Sequence, residues 1–203
     1  YPSAIMSSTP ILSICISTFN RARYIGETLE SIAGQLSDSV ELLVLDGASP
    51  DDTQAVVSRF VAADERVRYV REATNSGVDQ DYDKAVAHAR GKYCWLMSDD
   101  DLLVPGAVGK VLRELESEVD LLVVNAKVMD LRLERVLRPK LLQLDSDQHW
   151  DERGGEKLFS AVGNYLTFIG GVVVRRNFWL SRPRQPYYGT LFVHIGALFQ
   201  APA

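Results

Sequence analysis

Apolar positions along the chain gather into short runs separated by polar loops and by stretches with helical spacing. Ile11, Leu12, Ile14, Cys15 and Ile16 form a run rich in β-branched residues, as expected of a strand buried on both faces of a parallel sheet. The run stops at Ser17, Thr18, Phe19 and Asn20, after which Tyr24, Leu29, Ile32 and Ala33 mark one face of a helix. The rhythm then repeats. Val40 to Leu45 predicts a second strand, Asp46 to Asp52 a turn-rich loop, and Val56, Val57, Phe60 and Val61 a second helix. Val67 to Val70 predicts a third strand, Gln80 to Ala89 a third helix, and Tyr93 to Met97 a fourth strand ending in Ser98, Asp99, Asp100 and Asp101. Pro105 is expected to open a further helix, since its missing N–H costs nothing in a first turn, with Val108, Val111, Leu112 and Leu115 as the apolar face. Leu121 to Val124 reads as strand five. Beyond Asp130 the pattern weakens: Leu131 to Leu144 predicts a hairpin or irregular chain, Gly155 to Val162 a helix, and Phe168 to Val174 a strand.

Strands and helices alternating at this spacing imply an α/β fold: a mostly parallel, Rossmann-like sheet with helices on both faces, whose ligands bind beyond the carboxyl ends of the strands. The strand-end loops are therefore where chemistry is expected. At 203 residues one domain is the working assumption, running over 11–203. Residues 1–10 read as a flexible N-terminus or cloning remnant, with Met6 able to serve as initiator.

Composition is that of an ordinary globular protein, 46% hydrophobic and 24% charged, which excludes disordered and fibrous classes. A formal net charge of −5 argues against a nucleic-acid partner held by the whole surface. No apolar run approaches the roughly 20 residues of a membrane-spanning helix, so a cytoplasmic location is expected. Cys15 and Cys94 each lie inside a strand-like run and read as small core side chains.

Three acids in succession, Asp99, Asp100 and Asp101, directly follow a buried strand, where mutual repulsion is costly without a compensating cation. Hard oxygen ligands favour Mg²⁺ or Mn²⁺, ions that commonly bridge one or two carboxylates to substrate phosphates. The same run could equally be an acidic turn ahead of the next helix. At a second strand end, Asp46 is placed to accept hydrogen bonds from a base or ribose, while Ser49, Asp51 or Asp52 could cap the following helix. Thr18 and Asn20 either order their own turn or line a cleft.

Taken in order, Ser13 to Arg21 (SICISTFNR), Val44 to Thr53 (VLDGASPDDT), Asn75 to Lys84 (NSGVDQDYDK) and Ala89 to Asp101 (ARGKYCWLMSDDD) resemble the family 2 glycosyltransferases of the GT-A fold. The resemblance covers Ile11 to Val124. Within the family, Tyr93 to Asp101 looks most like bacterial enzymes related to abequosyltransferases, which build surface polysaccharides such as O-antigen. It implies a nucleotide-sugar-binding half over 11–124 and an acceptor-side half over 125–203, which stops short of similar enzymes and is expected to lack a C-terminal segment. It also implies inverting sugar transfer from a nucleotide-sugar donor to a saccharide or lipid-linked acceptor, at the cytoplasmic face of the inner membrane.

The implied nucleotide-sugar-binding residues are Ser17, Thr18, Phe19, Asn20, Arg21, Asp46, Gly47 and Asp99. Asp100 is the expected direct metal ligand, with Asp99 and Asp101 beside it. Three departures stand out: Phe19 and Gly47 occupy positions where the family usually carries Tyr and often Asp, so the usual base contact is not implied, and Met97 displaces the acidic motif onto Asp99 to Asp101. No acid stands late in the domain where a general base is usual. Asp101, His194 and Asp79 are the candidates, although a His flanked by Phe192, Val193 and Ile195 is also a natural core residue. Arg175, Arg176, Arg182 and Arg184, with Trp179, Tyr187 and Tyr188, read either as a solvated basic face or as an acceptor site touching a lipid diphosphate or the membrane. Two rivals remain. A nucleotidyltransferase should carry a Gly-rich loop after strand one, and Ser17 to Arg21 has no glycine; a non-catalytic module of the same fold would bind donor without turnover.

Overall fold

The computed structural model describes residues 9–200, so the expectation for the first eight residues lies outside the described part. Seven helices and two sheets are found there. The strands are β1 (Leu12–Thr18), β2 (Val40–Asp46), β3 (Val67–Arg71), β4 (Tyr93–Met97), β5 (Leu121–Val123), β6 (Val128–Met129), β7 (Val136–Arg138) and β8 (Val172–Arg175). The helices are α1 (Ile25–Ala33), α2 (Thr53–Ala63), α3 (Val78–His88), α4 (Ala107–Glu114), α5 (Gly155–Val162), α6 (Arg176–Leu180) and α7 (Val193–Phe199).

The main sheet has strand order β3-β2-β1-β4-β8-β5, and a separate ribbon pairs β6 with β7. β1 pairs in parallel with β2 on one side and β4 on the other, and β2 pairs in parallel with β3. β8 runs antiparallel to both β4 and β5, so β5 points the same way as β1 to β4. All seven residues of β1 and of β2 are buried, as a sheet covered on both faces requires. Alternation then sorts their side chains. Leu12, Ile14 and Ile16 join Leu29 and Ile32 of α1, Val57 of α2 and Val111 of α4 on one face. Cys15, Leu43 and Leu45 join Val86 of α3, Trp179 of α6 and Ala197 of α7 on the other. Cys15 and Cys94 are free thiols in that second core.

Two expectations are corrected and a third is narrowed. Pro105 does not open α4: Pro105 and Gly106 sit in a turn closed by Ala107 N–H donating to the Val104 carbonyl at 3.1 Å, with Gly106 at φ 80° and ψ 1°. Pro-Gly is the natural centre of a type II turn, and the same fixed φ that suits a first helical turn suits this one. The strand expected from Phe168 begins only at Val172, because Ile169 to Gly171 form a 3₁₀ turn. Its carbonyl at Gly170 accepts from Trp95 Nε1 at 2.8 Å, and a Cβ on Gly171 would fall 2.7 Å from the Tyr165 ring. Of the three residues expected to cap α2, Asp52 precedes the helix but caps nothing with its side chain, whereas Asp51 Oδ1 accepts from the N–H of Thr53, the first helical residue, at 3.1 Å.

A buried acid ties the amino-terminal ends of the strands together. Glu41 Oε1 accepts from Ser13 Oγ at 2.6 Å and from Arg90 N–H at 2.6 Å, while Oε2 accepts from Arg68 Nη1 at 3.0 Å. Ser13 Oγ in turn accepts from Gly91 N–H at 2.8 Å. One side chain thus joins β1, β2, β3 and the turn into β4, far from the opposite edge of the sheet. Glu41→Ala is expected to lower the unfolding free energy by about 3 kcal/mol, since it strands a hydroxyl, an amide and a guanidinium. Urea melts against Glu65→Ala, an exposed control, measure this, and a loss below about 1 kcal/mol would refute the linking role.

Candidate functional site

At the carboxyl edge of the sheet the loops after β1 and β2 are stitched together. Gly47 N–H donates to the Thr18 carbonyl at 2.9 Å, and Asn20, at φ 60°, donates its N–H to Ser49 Oγ at 2.8 Å. Arg21 N–H donates to Thr53 Oγ1 at 3.0 Å, and Ala22 N–H to Asp51 Oδ2 at 2.9 Å. Ser49 and Asp51, two of the residues read as caps in sequence, therefore hold the neighbouring loop together with Thr53, and this fixes where Ser17, Thr18, Phe19 and Arg21 lie. Ser17 and Thr18 are buried, whereas Phe19 stands well out into solvent.

Asp46, with no exposed surface, closes the next part of the site. Its Oδ1 accepts from Ser49 N–H at 2.7 Å, and its Oδ2 accepts from the Tyr69 hydroxyl and lies 3.8 Å from Arg71 Nε. Burial and then the bond to Asp46 hold the Tyr69 phenol above its ordinary range, so it remains the donor. Beside it, Gly47 is open enough that a carboxylate from α3 lies over it: a Cβ there would meet Asp81 Oδ2 at 2.7 Å and Asn75 Oδ1 at 3.5 Å. Asp81 accepts from Ser76 Oγ at 2.6 Å, and burial pushes its carboxyl up. Sequence reasoning assigned Asp81 no role, although it lies within the Asn75 to Lys84 segment. Only the fold shows that α3 delivers an acid to the gap left by Gly47.

After β4 the three acids diverge. Asp99 is buried, its carboxylate 3.4 Å from Arg21 Nε, and its backbone carbonyl accepts from Thr28 Oγ1 at 3.0 Å. Asp100 is exposed, 3.8 Å from Arg21 Nη2, and accepts from Ser98 Oγ. The Thr18 hydroxyl, beside Asp99, is buried without a hydrogen-bond partner. Burial, ahead of the charges of Asp100 and Asp99, pushes the Asp101 carboxyl up to about 6. Asp101 makes no ion pair or side-chain hydrogen bond among the described residues. No three His, Cys, Asp or Glu side chains converge there as a ready metal cage.

The other two base candidates lie elsewhere. Asp79 is buried at the start of α3, where Oδ2 accepts from Leu191 N–H at 2.9 Å and Oδ1 from Val193 N–H at 3.0 Å. Its carboxylate thus holds the entry to α7. His194 follows on that helix, fully buried, with Nε2 donating to the Leu166 carbonyl at 2.7 Å and Nδ1 unpartnered. Burial keeps its imidazole below the usual range, hence neutral. Neither faces the acids after β4 through any hydrogen bond.

The expected basic face is also resolved into internal contacts. Arg175 pairs with Asp120 at 2.6 Å, and Arg176 donates to the Val86 and Ala87 carbonyls, both at 2.9 Å, at the end of α3. Arg182 reaches the Ala197 carbonyl at 3.4 Å. Arg184 donates to Asp83 Oδ1 at 2.8 Å, as does Trp179 Nε1 at 2.9 Å, and the Tyr188 hydroxyl takes Asp83 Oδ2. Arg176, Arg184, Trp179 and Tyr188 thus clamp the late chain onto α3, while Arg175 and Arg182 bind acceptors elsewhere in the chain.

The family described as Glycosyl transferase family 2 matches residues 13–180, which include every loop of this edge. The chain belongs to glycosyl transferase family 2. Among family relatives, abequosyltransferase RfbV of Salmonella typhimurium is 24% identical over 196 residues, covering 91% of this chain and 59% of the relative. Chondroitin synthase of Escherichia coli is 29% identical over 160 residues, covering 79% of this chain and 22% of the relative. Among solved structures, residues 1–349 of S. aureus TarS in complex with UDP superpose with a TM-score of 0.67 at 18% identity, over 92% of this chain and 54% of that one. Mannosyltransferase PcManGT from Pyrobaculum calidifontis, in complex with GDP-Man and Mn²⁺, gives 0.59 at 18% identity, over 86% and 48%. The fold of this family 2 chain is thus the GT-A arrangement, and the chain spans no more than 59% of the length of these relatives. No helix among the described residues is long and apolar enough to cross a membrane.

Tyr69→Phe should lower stability by about 1–2 kcal/mol by leaving the buried Asp46 oxygen without its donor. Tyr24→Phe, at an exposed ring, should be neutral. Equal thermal-denaturation midpoints for the two variants would show that the Tyr69 hydroxyl does not hold Asp46.

Proposed function

We propose that this edge binds a nucleoside-diphosphate sugar and passes its sugar, with inversion, to a hydroxyl of a saccharide or lipid-linked acceptor in bacterial surface-polysaccharide synthesis. The supporting observation is convergence: the loops carrying Thr18 to Arg21, Asp46 to Gly47 and Asp99 to Asp101 all leave parallel strands at one edge, on the two sides of β1 where the strand order reverses. The names of the relatives, with UDP in one structural neighbour and GDP-Man in another, point to such a donor without choosing the base.

In this reading Phe19 offers an apolar face at the mouth of the crevice for the base, and Asp81 presents an acceptor across Gly47 in place of the missing family acid. Asp46 acts chiefly by fixing the loop, since its oxygens already have protein donors. Asp99 and Asp100 supply hard oxygens that would hold Mg²⁺ or Mn²⁺. A cation held there would offset the charge that develops on a leaving diphosphate. Arg21, already bridging Asp99 and Asp100, stands ready to share that charge. Asp101 is the general base of choice among the three candidates, because Asp79 and His194 are committed to backbone groups. The site belongs to an enzyme working in the cytoplasm, against the inner membrane where its acceptor is lipid-linked.

Thermal unfolding with UDP, CDP, GDP and dTDP, each with and without Mn²⁺, tests the donor site. One nucleotide should stabilise the chain only with metal, by about 3 kcal/mol at a hundredfold excess over its dissociation constant, and Asp100→Ala should abolish the gain. No stabilisation by any nucleotide would remove the donor reading. Asp101→Asn should keep that stabilisation yet slow transfer by about 10²-fold or more. Undiminished turnover in this variant would assign the base elsewhere, and binding without turnover in the unaltered chain would favour the non-catalytic module.

A further inference from the structure

The ribbon of β6 and β7 stands apart from both cores. Every residue from Leu131 to Lys140 is exposed, an unbroken run of ten. Four are large aliphatics: Leu131 is wholly exposed, and Leu133, Val136 and Leu137 are about half exposed. Between 127 and 140 the chain carries Lys127, Arg132, Arg135, Arg138 and Lys140 against only Asp130 and Glu134. This local excess of three positive charges opposes the −5 of the whole chain. None of the five cations forms an ion pair among the described residues. Asp130 is spent on the turn, where it accepts from the N–H groups of Glu134 and Arg135.

We propose that this ribbon is a membrane-docking element that seats the protein on an anionic lipid surface. Aliphatic tips interleaved with unpaired cations suit a bilayer interface, where leucines enter the acyl boundary while arginine stems lie along it with their heads among phosphates. A protein partner is disfavoured because no aromatic residue stands between 127 and 140 to anchor an interface core. Strand addition is disfavoured by the register shift at Val128 and Met129, by Pro139 and by the edge charges. The direction of the ribbon adds a reason of its own. β5 runs parallel to β4, so the chain enters the ribbon from the edge that also bears Asp99 to Asp101. Docking there holds that edge close to the lipid surface. The inference rests on the ribbon alone and stands whether or not the edge binds a nucleotide.

Flotation of the 203-residue chain with vesicles of pure phosphatidylcholine, and with vesicles containing a third phosphatidylglycerol, is the test. The chain should float only with the anionic vesicles, and raising salt should release it. Arg132→Ser/Arg135→Ser/Arg138→Ser should lower the partition coefficient by about a hundredfold, each cation contributing about fivefold. Leu131→Ser/Leu137→Ser should also release the chain at unchanged charge. Both variants should melt at the temperature of the parent chain, since the replaced side chains touch neither core. Flotation indifferent to anionic lipid, absent altogether, or retained by the arginine variant overturns the proposal. Self-association that the leucine variant abolishes, without flotation, would identify the ribbon as a protein interface instead.

Discussion

Parallel pairing is the constraint on which this molecule depends. Because β1 pairs in parallel with β2 and with β4, each chain crossing must return over a face of the sheet, and the outgoing loops collect along one edge. Helices α1 and α2 return over one face and α3 over the other. Residues distant in sequence, such as Arg21 and Asp99, therefore meet without any local signal bringing them together. Glu41 and its donors fasten the opposite edge, so the sheet is braced at one end by a fully partnered buried acid and leaves the other end for charges whose partners are incomplete.

That second end carries Asp46, Asp81, Asp99, Asp100 and Asp101, with Arg21, Arg71 and Lys84 as the nearby cations. The acids are not equivalent. Asp46 is saturated by donors, Asp99 and Asp100 share one guanidinium, and Asp101 has none. Environment sorts one residue type into a structural anchor, a shared anion pair and a lone carboxyl whose proton is held up by burial. This gradient from saturated to unsatisfied runs from β2 to β4, across the strand where the order reverses.

Periodicity made the regular part of the fold legible, because burial on two faces imposes apolar runs and amphipathic helices that can be read directly. β4 and α5 match their expected limits residue for residue. Meanings that depend on distant partners were not legible. Pro105 fits a helix start and a turn equally well, and only Gly106 at positive φ decides between them. Arg175, Arg176 and Arg184 read as a basic face or an acceptor site because their acceptors, Asp120, the Ala87 carbonyl and Asp83, lie 55 to 101 residues away. Asp81 went unassigned for the same reason: its importance comes from lying over a glycine at the end of another strand. The acidic triplet was legible because it is local, while the surroundings of its members depend on Thr18 at the end of β1 and Arg21 in the loop that follows.

The placement of β8 bears on how the chain reaches this state. β5 touches the sheet only through β8, and β8 arrives after the whole segment from 124 to 171. As the chain is made from its amino end, β4 must wait with one hydrophobic edge unpaired, and β5 has no strand to join. An open, apolar edge of that kind invites pairing with other chains. The reversed strand is thus the last to join the sheet, and until Arg175 has been made the sheet keeps an open edge beside β4.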